Sequence, residues 1–143
     1  MIILKLKEIR ENNFDTQLKI ADILGVQRGT YASWECNNDL IPTKRLFMFA
    51  NHYHKSIDYI IELSKFDETI FYNEDINLNI IGKNLQTIRK KLQLTQLKFA
   101  ESIGINQSTY WAYENGKNLI TTSSLISIAT KYGYSTDWIL GRK

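Results

Sequence analysis

The sequence predicts an all-α protein built from two copies of one small five-helix domain. An internal repeat carries most of that expectation: sliding the chain by 79 residues lays residues 6–61 on residues 85–140 without a gap, with 21 identities in the 56 aligned positions. A period this long is not a solenoid repeat and describes whole domains. Inside each copy, apolar residues recur at helical spacing, with threonine and glycine where helices start and stop. Composition agrees, with one proline, seven glycines and 43% hydrophobic residues in a chain of 143. That is enough apolar material for two cores of roughly 60 residues each, near the lower size limit for unaided folding.

In copy one, residues 2–12 read as a first helix with Leu6 and Ile9 inward and no arm before it. Thr16 is placed to cap a second helix over 17–24, its hydroxyl accepting from an amide one turn in, and Gly25 supplies the left-handed residue that ends it. A third helix over 27–35 turns Tyr31 inward and Gln27, Arg28, Gly29, Ala32 and Ser33 outward. Asn37, Asn38 and Asp39 read as a loop, and Pro42 fits a turn before a fourth helix over 43–53 that buries Leu46, Phe49 and Ala50. A fifth over 56–63 closes the domain with Ile57, Ile60 and Ile61. Copy two repeats the plan, with a first helix over 81–91, a fourth over 122–132 and a short closing helix around 135–140.

The stretch 95–116 points toward function. Thr95 caps one short helix carrying Phe99, Ala100 and Ile103, Gly104 ends it, Ile105 plugs the turn, and a second helix runs from 106 or 107 to about 114. Tyr110 and Tyr113 face inward, while Gln107, Ser108, Trp111 and Ala112 face outward. That outer face holds amides and a hydroxyl but no charge. Such groups suit base edges, since a Gln or Asn makes paired bonds to adenine. On spacing alone the stretch equally suits a small helical hairpin with a solvated polar face; its recurrence in copy one weights the first reading.

Both copies resemble the phage-repressor and Cro-like helix-turn-helix family, often called XRE-type, whose pattern is roughly TQxxLAxxxGVxxxxIxxWExGxxxP followed by a late SxDWLLG. Copy two matches with Thr95, Gln96, Ala100, Gly104, Ile105, Tyr113, Glu114, Asn115, Gly116 and STDWILG over 135–141. Copy one matches with Thr16, Gln17, Ala21, Gly25, Val26, Trp34, Glu35, Pro42 and SIDYI over 56–60. The resemblance implies two tandem five-helix, lambda-repressor-like domains over 1–64 and 80–143, joined by a connector over 65–79. In each, helix three would enter the major groove of double-stranded DNA and helix two would cross the phosphate backbone. By position, the resemblance gives Gln17 and Gln96 to phosphate, at the positive end of helix two. It gives Gln27, Arg28 and Ser33 to base edges in copy one and Asn106, Gln107, Ser108 and Ala112 in copy two, with Asn115 and Lys117 on phosphate. Trp111 departs from the family average, and either meets a thymine methyl or a partner or simply packs on its neighbours. Arg10 with Glu35, and Arg89 with Glu114, match pairs that tie helix one to the end of helix three, a structural role.

Charge separates the copies. Residues 1–64 are net neutral, 65–79 carry −3 and 80–143 carry +6, so copy two is the better candidate for a polyanion, through Lys83, Arg89, Lys90, Lys91, Lys98 and Lys117. The connector lacks Gly, Pro and Ser, and Phe66, Ile70, Phe71 and Tyr72 are expected to dock it on one or both domains. Extended, it reaches about 50 Å, more than the roughly 34 Å between half-sites one duplex turn apart. Whether the domains sit inverted or head to tail stays open.

Other chemistries find little support. Cys36 is alone, so neither a disulfide framework nor a CxxC metal site is expected, and a cytoplasmic setting is the default. Lys5, Lys7 and Glu8 break the apolar start, so no signal peptide is expected, and no run approaches membrane-spanning length. His52 and His54 belong to no metal-spaced cluster, and no Walker loop, dinucleotide fingerprint or nucleophile arrangement occurs; no enzyme activity, metal or cofactor is expected. The function expected is a sequence-specific, double-stranded DNA-binding regulator, a repressor of bacterial or phage origin. The alternative is a protein-interaction module such as an antitoxin or inhibitor on the same scaffold, with a homodimer or protein partner held through the first domain or the connector.

Overall fold

In the computed structural model, which describes residues 4–143, most helix starts are set by a side-chain oxygen and most ends by a left-handed residue. The chain divides into two compact units, one ending at Asn73 and the other running over Glu74–Lys143. The first opens with α1 (Leu6–Asn12), shorter than the expected 2–12 because the Lys5 amide donates to the Ile60 carbonyl at 2.9 Å rather than entering the helix. Residues 2 and 3 of that expected helix lie outside the described residues. Thr16 Oγ1 accepts from the Lys19 amide at 3.1 Å and opens α2 (Gln17–Leu24). Gly25 at φ 71° closes it, letting its own amide and that of Val26 reach the Asp22 and Ala21 carbonyls.

Next come α3 (Arg28–Glu35), α4 (Thr43–Tyr53) and α5 (Ile57–Ile60). α5 is a single turn where 56–63 was expected, since Glu62 at φ 63° folds the chain back and sends the Leu63 and Ser64 amides to the Asp58 carbonyl. Tyr31, fully buried, lies parallel to Phe49 and edge-on to Trp34, inside a core of Leu6, Ile20, Leu24, Leu46 and Ile57. The first residues of the expected connector belong to this unit. Lys55 grips both carboxylate oxygens of Asp67 at 2.8 and 2.9 Å, the Ile70 amide donates to His54, and Tyr72 meets Phe47 edge-on. Phe66, expected to dock, is 81% exposed.

The second unit starts earlier than the repeat suggested. The Asn77 side chain accepts from the Asn79 and Ile80 amides at 3.0 and 3.2 Å, so α6 spans Leu78–Lys91 and takes in the last two residues of the expected connector. Thr95, Asn106, Thr121 and Ser135 cap α7 (Gln96–Ser102), α8 (Gln107–Glu114), α9 (Thr122–Tyr132) and α10 (Thr136–Ile139) in the same manner. Phe99 sits between Tyr110 and Tyr132, with ring centroids 4.8 and 5.5 Å away. Asn84 donates to the Trp138 and Ile139 carbonyls, fastening α10 to α6, and Gly141 turns the chain so that the buried Arg142 pairs with the buried Asp137 carboxylate.

Every described residue with a left-handed backbone has a counterpart 79 positions away: Phe14 and Gln93, Gly25 and Gly104, Asn37 and Gly116, His54 and Gly133, Glu62 and Gly141. Among the described residues no helix is long and apolar enough to cross a membrane, and no group of three or more His, Cys, Asp or Glu could hold a metal ion.

Gly82 on α6 packs directly against the end of α8. A Cβ there would stand 2.3 Å from the Glu114 carbonyl oxygen and 3.1 Å from that of Tyr113, both backbone atoms at the end of α8. Because backbone cannot swing aside, Gly82→Ala is expected to cost about 1–3 kcal/mol, an overpacking penalty. Denaturant unfolding of the full chain checks this; an unchanged midpoint and slope would show that the helices can slide apart freely.

Candidate nucleic-acid interface

Each unit holds its third helix with a guanidinium. In the first, Arg10 of α1 donates from Nε and Nη2 to the two carboxylate oxygens of Glu35 at 2.6 and 3.2 Å and from Nη1 to the Asp15 carbonyl at 2.8 Å. In the second, Arg89 of α6 repeats the fork on Glu114 at 2.9 and 2.7 Å and reaches the Leu94 carbonyl at 3.0 Å. The side chains are 3–15% exposed. One fork therefore fixes the first helix, the following loop and the end of the third helix together, as the sequence implied. Burial, the largest influence, pushes the Glu35 and Glu114 carboxyls up, but the hydrogen bonds from Arg10 and Gln17, and from Arg89, outweigh it and hold both below the ordinary 4.5. Tyr110, raised strongly by burial, donates to the Leu85 carbonyl at 3.3 Å behind the pair.

On the first unit's second and third helices several outward side chains are tied to neighbours. Gln17, expected on phosphate, instead donates to Glu35 at 2.9 Å and accepts from Arg28 at 2.9 Å. Ser33, expected on a base edge, is half-buried and donates to Asp39 at 3.1 Å. Lys19 pairs with Asp15 at 2.8 Å, an acid-before-base spacing of four that the sequence itself displays. Gln27 and Arg28 are exposed.

The second unit keeps a more open face. Gln107, Ser108, Asn115 and Lys117 are exposed, and Trp111 is 47% exposed. Asn106 uses its carbonyl oxygen to accept from the Thr109 amide and the Ser108 hydroxyl, both at 2.8 Å, and Asn115 donates to the Trp111 carbonyl at 2.9 Å. Gln96 is half-buried and bonds toward Glu114 rather than outward. Ala112, expected on a base edge, is instead buried, and its carbonyl accepts from the Lys117 and Asn118 amides of the chain that follows α8. Lys83, Lys90, Lys91 and Lys98 of the same unit are exposed, so the unit's positive charge lies at the surface.

A family model described as a helix-turn-helix domain matches residues 82–143. Antitoxin PezA of Streptococcus pneumoniae is 39% identical over 62 residues, 43% of this chain and 39% of that protein. The cryptic phage CTXphi transcriptional repressor RstR of Vibrio cholerae is 37% identical over 62 residues, 43% of this chain and 55% of that one. The HTH-type transcriptional regulator ImmR of Bacillus subtilis is 32% identical over 62 residues, 43% of this chain and 49% of that one. The matched region thus spans about half or less of each relative's length. No solved structure matches the chain. Residues 82–143 are therefore similar to a helix-turn-helix domain.

Arg89→Ala strands the Glu114 carboxylate in the interior, and losing one partner of a largely buried pair costs about 3–5 kcal/mol; the second unit should unfold before duplex binding is lost selectively, visible as parallel loss of helical signal and binding. Acid acts on the same bond. With the folded-state carboxyl held below its unfolded value of 4.5, its contribution is present above about pH 4.5 and is lost as pH falls through the lowered folded value. Glu114→Gln is expected to lower stability at neutral pH and to flatten the decline on acidification, measured as unfolding midpoint against pH.

Proposed function

We propose that the protein is a sequence-specific, double-stranded DNA-binding transcriptional regulator, a cytoplasmic repressor of bacterial or phage origin, and that its two units are tandem copies of one helix-turn-helix domain. The observation that carries the reading is the second unit's α8, with exposed Gln107, Ser108 and Trp111, in a unit whose Lys83, Lys90, Lys91, Lys98 and Lys117 are also exposed and which resembles regulators. Amides there suit base edges and the lysines release counterions from phosphate. The left-handed residues paired at 79 positions support the duplication, since four of the five pairs keep the backbone while at least one residue differs.

A second reading is favoured by the likeness to antitoxin PezA: a scaffold of this kind that grips a protein through the first unit or the segment following it. The two roles separate in one experiment, a gel shift of the full chain on random and genomic duplexes over a salt series. Steep salt dependence with one preferred sequence supports the regulator; flat, sequence-blind binding favours the protein-interaction module. Within the first reading, Gln107→Ala should relax sequence choice by about 1–3 kcal/mol at one position, whereas Lys117→Ala should weaken all duplexes alike and reduce the salt slope by about one. Equal effects of both changes on every duplex would overturn the assigned roles.

A further inference from the structure

We infer that the two third helices read different bases, so that the full chain recognises a duplex site with two unlike halves rather than a repeated or palindromic one. The inference rests on the DNA-reading role proposed above and extends it to the class of site. It comes from the chemistry at equivalent positions, 79 residues apart, on α3 and α8.

The first helical residue is Arg28 in one unit and Gln107 in the other, and both are exposed. Arg28 is not a loose surface cation. Its Nη1 donates to Gln17 at 2.9 Å, Gln17 donates to Glu35 at 2.9 Å, and Glu35 is held by the buried Arg10 fork at 2.6 and 3.2 Å. This relay anchors the guanidinium to the core while leaving the side chain exposed. A planar fork fixed in this way matches the paired N7 and O6 acceptors of guanine, and an arginine so placed loses less freedom on binding than a free one. One turn later stands Ala32, half-buried and small, which leaves room for the arginine.

At the matching place in the second unit the donor–acceptor pattern changes. Gln107 offers one donor and one acceptor, the complement of adenine N7 and its exocyclic amine. One turn later, on the same face, Trp111 presents an aromatic ring that is 47% exposed. The thymine paired with that adenine puts its methyl group on the same groove edge, where an apolar side chain is the favourable neighbour. Gly29 and Ser108, both exposed, differ between the faces as well. Guanine under Arg28 and an A·T pair under Gln107 and Trp111 are therefore the expected contacts, one in each half of the site.

The test is selection of the full-length protein on a pool of random duplexes, followed by the same selection with Arg28→Gln and with Gln107→Arg. Both substitutions are at exposed positions, and helical signal and unfolding midpoint confirm that each variant folds. The wild type should enrich two half-sites of different sequence. Arg28→Gln should change the preferred base at one position of one half from guanine to adenine, and Gln107→Arg should make the opposite change in the other half. Each exchange should alter the preference by roughly 5- to 150-fold. Two copies of a single half-site, enrichment of one half only, or variants that shift both halves alike would overturn the inference while leaving DNA reading intact. Absence of any enriched sequence, with no dependence on salt, would remove both the inference and the function it rests on.

Discussion

A guanidinium carried into a helical interface has to find a carboxylate, and in each unit it finds the last residue of the third helix. Arg10 with Glu35, and Arg89 with Glu114, join the first helix, the loop after it and the end of the third helix through one planar contact. Everything presented on the outer face of α3 or α8 takes its angle from that contact. The same fork explains why Gln17 turns toward Glu35: the carboxylate still has capacity after two bonds from Arg10, and an amide one helix away fills it. Removing the fork would therefore disturb the candidate reading surface and the fold together.

What differs between the units is how much of the outer face is committed. In the first, Arg28, Ser33 and Lys19 each have a partner within the unit, and the balance of charge over residues 1–64 is zero. In the second, Lys83, Lys90, Lys91, Lys98 and Lys117 are exposed and the balance is strongly positive. Electrostatic attraction to a duplex would thus arise mainly from the second unit, whereas the first supplies an anchored arginine of fixed geometry. Affinity without sequence content and sequence content with little affinity are separable properties, because phosphate contacts position a protein and base contacts specify its site.

The helix starts were legible because short oxygen side chains announce them. Thr16 and Thr95 cap where expected, and α2 and α4 have the bounds expected of them. The Arg–Glu pairs were legible through the family resemblance and through repetition at 79 residues. Three features were not. Gln17 finds its partner 18 residues away in sequence, and no local pattern marks a tertiary acceptor. Ala112 is small enough to suit either side of a helix, so its residue type gives no sign of its burial. The buried pairing of Asp137 with Arg142 requires the reversal at Gly141, which spacing alone does not disclose. The early start of α6 did have a signal in Asn77, masked by aligning to a first helix whose own start is blocked at Lys5.

The left-handed residues have a thermal consequence. Asn37, His54 and Glu62 hold in the first unit a conformation that Gly116, Gly133 and Gly141 hold in the second. A side chain there costs roughly 1–2 kcal/mol, less for asparagine, against the roughly 0.5–1 kcal/mol of extra disorder that glycine gives up on folding. The imbalance accumulates on one side of the chain. Warming should therefore loosen the amino-terminal unit first, and with it the hydrogen-bonded relay that holds the Arg28 guanidinium.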